Sequence, residues 1–213
     1  MKSEKSCRHE KLMGSQTPSD RIVPDYAYTD GPDAVKVLAV GKLIVDPWQS
    51  EVLNDWMGRT EDDVWSAPTC GLSVPRQNGK TLDTSGRIAS GMILYAEWVI
   101  YTAHLQKTAT ETFMELRGLF ESRGLRKYVK EIKAALGREQ IILKNGGRVV
   151  FVARTRNGGR GLHGDCLVFD EAQELTSEQQ ASFLPAISAS RNPQTIYLGT
   201  PPDENCTGTV FRK

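Results

Sequence analysis

The sequence predicts an α/β domain with a mainly parallel central sheet flanked by helices. Short apolar runs rich in β-favouring residues alternate with longer stretches of helical spacing. The residues able to do chemistry cluster just after three of those runs, behind Val74, Phe169 and Leu198. That is where open α/β sheets bind ligands. A chain of 213 residues, 39% hydrophobic and 25% charged, is long enough for one sizeable core.

In chain order, residues 1–34 read as an N-terminal arm: polar, aperiodic and punctuated by Pro18, Pro24, Gly31 and Pro32. The domain proper is expected over 35–213. Residues 35–45 form an apolar run with Gly41 as a turn, and Pro47 then fits the first turn of a helix to about Met57, capped by Asp46. Residues 69–74 form a strand, Lys80–Tyr95 a helix and Trp98–Ala103 a strand centred on Val99, Ile100 and Tyr101. Residues 106–120 carry helical spacing in Ala109, Phe113, Leu116 and Phe120. Two runs, 141–143 and 148–152, flank Asn145-Gly146, a strong hairpin signal. A glycine-rich loop over 157–164 leads into the apolar strand Cys166–Phe169. A helix follows over 177–189, which Pro185 kinks or ends, and 195–198 is the last strand. There is no internal repeat.

Composition excludes some classes of function. A net charge of +1 gives no global field for nucleic acid, so any DNA-facing charge must be local. The four cysteines form no CxxC pair. Cys70 and Cys166 sit in apolar runs as small buried hydrophobes, while Cys7 with His9 is too few ligands for a metal site. The N-terminus has no apolar core of a signal peptide. The most membrane-like window, 88–106, is interrupted by Glu97, and a carboxylate at a bilayer centre costs about 2.5–3.5 kcal/mol.

Gly79-Lys80-Thr81 lies between a strand and a helix, where backbone N–H groups, a lysine charge and a hydroxyl can cradle phosphates and Mg²⁺. The usual pattern, GxxxxGK[ST], is broken because Val74 occupies the first glycine position. The second element is Cys166–Phe169 running into Asp170-Glu171: Asp170 can hold Mg²⁺ through water and Glu171 can polarise an attacking water. Either piece alone can be chance, a helix start or a solvated acidic cap. Both in order at strand ends read as ATP binding and hydrolysis.

Three further features have plainer alternatives. Gln49 can pair with adenine N6 and N7, with Trp48 packing nearby; otherwise Trp48 is core and Gln49 an exposed helix residue. Between 140 and 164 the charges are Lys144, Arg148, Arg154, Arg156 and Arg160, with no acid from Gln140 to Gly164. That group either meets phosphate or forms a solvated face. His163 lacks partner ligands and reads as structural.

Taken together, six segments resemble the large terminase subunit of tailed bacteriophages. They are Asp46-Pro47-Trp48-Gln49, residues 74–81, residues 102–109, residues 159–165, Val168-Phe169-Asp170-Glu171-Ala172-Gln173 and residues 198–202. The family uses a deviant phosphate loop of this Pro-Arg-Gln-Asn-Gly-Lys kind. The resemblance implies a P-loop NTPase fold of the additional-strand type, with ATP and Mg²⁺ as cofactors. It implies nucleotide binding by Trp48, Gln49, Arg76, Gln77, Asn78, Gly79, Lys80 and Thr81, with Arg76 as phosphate sensor. It places Thr81 and Asp170 on Mg²⁺, gives Lys80 and Glu171 catalytic roles, and puts Thr200 in the segment coupling hydrolysis to movement. Arg160 matches a trans-acting arginine finger. Gly158, Gly159 and Gly161 leave the backbone free to present it, although it can instead pair with Asp165.

The implied partners are double-stranded DNA, the portal protein and the small terminase subunit. The implied assembly is a homo-oligomeric ring, without a membrane, in the cytoplasm of the bacterial host and transiently docked on the procapsid. The family's RNase H-like nuclease domain is absent from these residues, so no nuclease activity is expected of them. Two competing readings are a superfamily 2 helicase or translocase fragment and a non-hydrolysing nucleotide-dependent assembly adaptor.

Overall fold

A computed structural model describes residues 14–137, 139–155 and 158–211. Cys7, His9, Arg156 and Asn157, each part of an expectation above, lie outside the described residues.

The domain begins earlier than the sequence predicts. Residues 28–34, assigned above to an arm, are folded: β1 (Tyr28–Thr29) is followed by α1 (Gly31–Val40). The punctuation that reads as a breaker is compatible with a helix start. Pro32 sits in the first turn, where its missing N–H costs nothing. Gly31 is buried against Asn54, where a Cβ would come within 2.3 Å of Asn54 Oδ1. α2 (Pro47–Trp56) packs on α1, and β2 (Gly58–Arg59) pairs antiparallel with β1.

The main elements follow: β3 (Thr69–Ser73), α3 (Lys80–Tyr95), β4 (Trp98–Ala103), α4 (Gln106–Glu121), β5 (Val129–Lys133), β6 (Gln140–Leu143), β7 (Arg148–Ala153), β8 (Cys166–Phe169), α5 (Ser177–Phe183) and β9 (Gln194–Gly199). They build a seven-stranded sheet of order β3-β9-β8-β4-β7-β6-β5. The first five strands are parallel; β6 adds antiparallel to β7, and β5 antiparallel to β6. β9 lies between β3 and β8, which is the additional-strand arrangement of the P-loop class. The fold is therefore the expected α/β P-loop type.

Two elements differ from expectation. β5 is unpredicted because its register against β6 shifts between Val129 and Glu131, so it lacks clean alternation. The helix expected over 177–189 ends at Phe183 and tightens into a 3₁₀ turn, Leu184–Ile187, around Pro185.

The sheet is buried on both faces. Val99 and Tyr101 point into the larger core with Phe113, Phe120 and Phe151. Ile100, Leu167 and Phe169 point into a smaller one with Leu175 and Phe183. This alternation follows from the two-residue period of a strand. Cys70 and Cys166 are buried free thiols, and burial pushes each up to about 12. In the larger core Arg87 is fully buried. Its guanidinium donates to both carboxylate oxygens of Glu97 at 2.7 and 3.1 Å and to Gln194 Oε1 at 2.8 Å. No helix among the described residues is long and apolar enough to cross a membrane.

Candidate active site

Three strand ends converge at one edge of the sheet. β3 runs into the loop Val74–Gly79, β8 into Asp170-Glu171, and β9 into Thr200. The loop places Lys80 at the first position of α3, and its Nζ lies 3.5 Å from Asp170 Oδ1. The two motifs, 90 positions apart in sequence, thus form one site.

The loop geometry explains the broken glycine pattern. The Val74 N–H donates to the Gly199 carbonyl at 3.1 Å, continuing the β3–β9 ladder, and Val74 is not among the residues with positive φ. No glycine is needed there. Gly79 does need to be glycine: its φ is 82°, and a Cβ would meet Gln49 Nε2 at 2.8 Å. Arg76, Gln77 and Asn78 are exposed on the loop, and Gln77 is itself left-handed at φ 62°.

Asp170 is 5% exposed and fixed from several sides. Its Oδ1 accepts the Glu171 N–H at 2.7 Å, and its Oδ2 accepts the Tyr101 hydroxyl at 2.5 Å. Burial, then the Asp170 charge, holds the Tyr101 hydroxyl well above its usual range, so Tyr101 stays a proton donor. A carboxylate here and the Thr81 hydroxyl on the first turn of α3 are hard oxygen donors of the kind Mg²⁺ takes. No cluster of three acidic, histidine or cysteine side chains accompanies them among the described residues. Such a partial site suits Mg²⁺, which is usually completed by water and substrate phosphates.

Glu171 follows in a left-handed backbone conformation, φ 52° and ψ 47°, uncommon for a side-chain-bearing residue and costing about 1–2 kcal/mol. Arg154 holds that turn. It is 5% exposed, and its guanidinium donates to the carbonyls of Asp170, Glu171 (3.0 Å) and Thr102 (3.2 Å). Burial lowers it to about 10 against the raising pull of Glu171 and Asp170. The Glu171 carboxylate reaches α4, accepting the His104 N–H at 3.1 Å and the Thr108 hydroxyl at 3.4 Å.

Several expectations change. Gln49 is neither an exposed helix residue nor free to read a base. It is 3% exposed; its Oε1 accepts the Asp46 N–H at 2.8 Å, and its Nε2 donates to the Gly79 carbonyl at 3.0 Å. Both ends of the amide are committed to backbone, so it braces the phosphate loop. Trp48 is half-buried and belongs to neither core cluster. The basic stretch divides: Arg154 is buried behind the acids, Arg148 stacks 3.4 Å over the Trp98 ring, and Lys144 and Arg160 are exposed.

The glycines around Arg160 work otherwise than expected. Gly158 and Gly159 let the loop lie against α5, where a Cβ would meet Phe183 at 2.8 Å and the Ser182 carbonyl at 2.2 Å. Gly161, at φ 76°, faces open space. A cleft lies here, lined by Arg160, His163 and the α5–3₁₀ segment. Asp165 is not a partner for Arg160, because its carboxylate takes the Trp98 N–H at 2.9 Å and the Ser190 hydroxyl at 2.8 Å. His163 is exposed and lines that cleft. Thr200 is half-buried, and its N–H donates to Gln173 Oε1 at 3.2 Å.

Sequence reasoning named Arg154 only within a basic group and gave no site role to Tyr101, Thr108 or Gln173, although Thr108 and Gln173 lie in segments that carry the resemblance.

No protein-family model matches the chain, and no curated relative does. Solved structures do. The large terminase of bacteriophage HK97 superposes with a TM-score of 0.68 at 16% identity, over 80% of this chain and 38% of that one. The large terminase ATPase domain of Thermus phage P74-26 gives 0.60 at 15% identity, over 87% and 72%. The large terminase of a further, thermophilic bacteriophage, solved with ADP, gives 0.53 at 14% identity, over 81% and 38%. The chain thus spans about two-fifths of the HK97 protein's length. It has the fold of the ATPase domains of phage large terminases.

Proposed function

We propose that this chain binds MgATP and hydrolyses it as the ATPase motor part of a phage DNA-packaging machine, moving double-stranded DNA into a procapsid. The observation that carries the reading is the 3.5 Å approach of Lys80 to Asp170, with Glu171 beside it, at the strand ends of a terminase-type fold. In this reading Gly79, Gln77 and Asn78 present loop N–H groups to the phosphates, with Lys80 as their counter-charge. Arg76 senses the terminal phosphate. Asp170 and Thr81 would hold Mg²⁺, which when bound would supply neutralising charge to the phosphate oxygens. Tyr101 and the Glu171 N–H orient Asp170. Glu171 orients the attacking water and accepts its proton.

Arg160 acts on a neighbour. Its loop leaves β7 and returns to the start of β8 along α5, a path that leads away from its own phosphate loop. The partners are DNA, a portal, a small subunit and further copies in a ring, working in the bacterial cytoplasm. Structures of the thermophilic phage's large terminase with ADP and with ATP-γ-S support nucleotide as the ligand.

Phosphate release from MgATP tests the proposal. Lys80→Ala should abolish turnover and weaken nucleotide binding. Glu171→Gln should still bind ATP but turn over about 100-fold or more slowly, in line with loss of general-base catalysis. A parent protein that binds ATP yet releases no phosphate, alone and with DNA, would make it the assembly adaptor instead.

A further inference from the structure

The acidic pair is carried by β8, but the restraint on Glu171 comes from elsewhere. Its backbone is left-handed and clasped by Arg154 from the end of β7. Its side chain lies across the start of α4, one oxygen on the His104 N–H and the other facing the Thr108 hydroxyl. Thr108 is in the first turn of α4, its neighbour Ala109 is fully buried, and α4 packs on β4 and β7. The hydroxyl is therefore presented from a rigid element. At 3.4 Å the contact is long, as catalytic hydrogen bonds often are before the substrate is bound.

We propose that Thr108 is a positioning residue for Glu171, its hydroxyl and the His104 N–H fixing the direction in which the carboxylate faces the attacking water. The proposal rests on the ATPase reading. The glutamate carboxylate, on a flexible side chain in a strained turn, has other rotamers available, and water orientation tolerates little error: misplacement by about 1 Å costs on the order of 100-fold. Two donors on the far side of the carboxylate leave the remaining lone pairs directed away from α4. Thr108 touches neither nucleotide nor water. It acts through Glu171 alone, so its removal affects the chemical step and not binding.

The experiment compares Thr108→Val, which keeps shape and loses the hydroxyl, with Thr108→Ser, which keeps the hydroxyl. Thr108→Val should lower kcat for MgATP about tenfold with KM and fluorescent-nucleotide affinity unchanged, and Thr108→Ser should restore kcat to within about twofold. In a Glu171→Gln background Thr108→Val should have no further effect. A second arm needs no turnover: Glu171→Ala should speed hydrogen exchange of the His104 amide severalfold in the nucleotide-free protein. If the parent hydrolyses ATP and Thr108→Val leaves kcat intact, or shifts KM instead, the positioning role is overturned and the ATPase reading survives. If the parent does not hydrolyse ATP, the ATPase reading falls and this role with it. If His104 exchange is unmoved, the carboxylate is not held there and the proposal fails on structure alone.

Discussion

Asp83, one turn into α3, has both carboxylate oxygens buried without a hydrogen-bond donor among the described residues. The nearby Gln49 amide, which gives one of its two N–H groups to the Gly79 carbonyl, acts to lower it. Burial dominates and pushes Asp83 up to about 8. The folded value lies above the unfolded one, near 3.8, so the fold favours the protonated acid. That stability is fully present below about pH 4 and is lost as pH rises through about 8, at about 1.4 kcal/mol per pH unit within the window. Asp83→Asn keeps the shape without the charge. Its melting temperature should exceed the parent's by a margin that widens from pH 5 to pH 8; an equal margin at both would contradict the buried-acid account. Legibility varies residue by residue for the same reason. Lys80, Thr81, Asp170 and Glu171 announce themselves because their chemistry depends on local spacing. Gln49 and Arg154 do not, because their roles depend on carbonyls 30 and 16 positions away.

Among the elements, α3, β4 and β9 are tied by one buried network. Arg87 bonds Glu97 across the α3–β4 turn and Gln194 at the start of β9, and Gln194 Nε2 donates to the carbonyls of Trp56 and Ala67. Burial acts to lower Arg87, but Glu97's charge overcomes it and leaves Arg87 raised. Removing one member strands the other's charge. Glu97→Ala should cost about 3–5 kcal/mol in urea unfolding, and the double variant Arg87→Met, Glu97→Leu should recover most of it. A loss below about 1 kcal/mol would show that water reaches the site. The strand–helix alternation read from sequence places α3 and β4 to the residue, because caps, apolar runs and a phosphate loop mark their ends. In the sequence Glu97 only interrupts an apolar window. Its partner, ten residues away on a helix, becomes visible only once the chain turns back at Ala96, left-handed at φ 56°. β5 escapes notice because its bulge hides the alternation, and α1 because Gly31 and Pro32 imitate a loop.

At the scale of the whole molecule, the parallel order β3-β9-β8 brings the phosphate loop, the acids and Thr200 to one edge, while Arg160 sits on the flank beside α5. Under the proposed reading, a finger so placed would serve the site of a neighbouring copy. Arg160→Ala should bind ATP normally and turn over at least about 10³-fold more slowly, as loss of such a residue does elsewhere. Mixing it with Glu171→Gln, under conditions where the parent is demonstrably oligomeric, should return measurable phosphate release, since mixed interfaces pair an intact site with an intact finger. Co-assembly without recovered turnover would rule out the trans role.

Beyond β9 the chain folds back onto the turn that follows the acids. Gly208 N–H donates to the Gln173 carbonyl at 3.1 Å, Thr209 N–H to the Leu175 carbonyl at 2.9 Å, and the Thr207 N–H and hydroxyl to the Glu174 carboxylate at 3.1 and 2.7 Å. Residues 172–175 and 207–209 therefore behave as one lamina, and neither shifts without the other unless these bonds break. Linkage makes such a connection reciprocal. If nucleotide chemistry displaces the turn by altering Glu171, a pull on the returning segment must alter nucleotide affinity by the same free energy. Mechanical load would then read directly as a change in ATP occupancy.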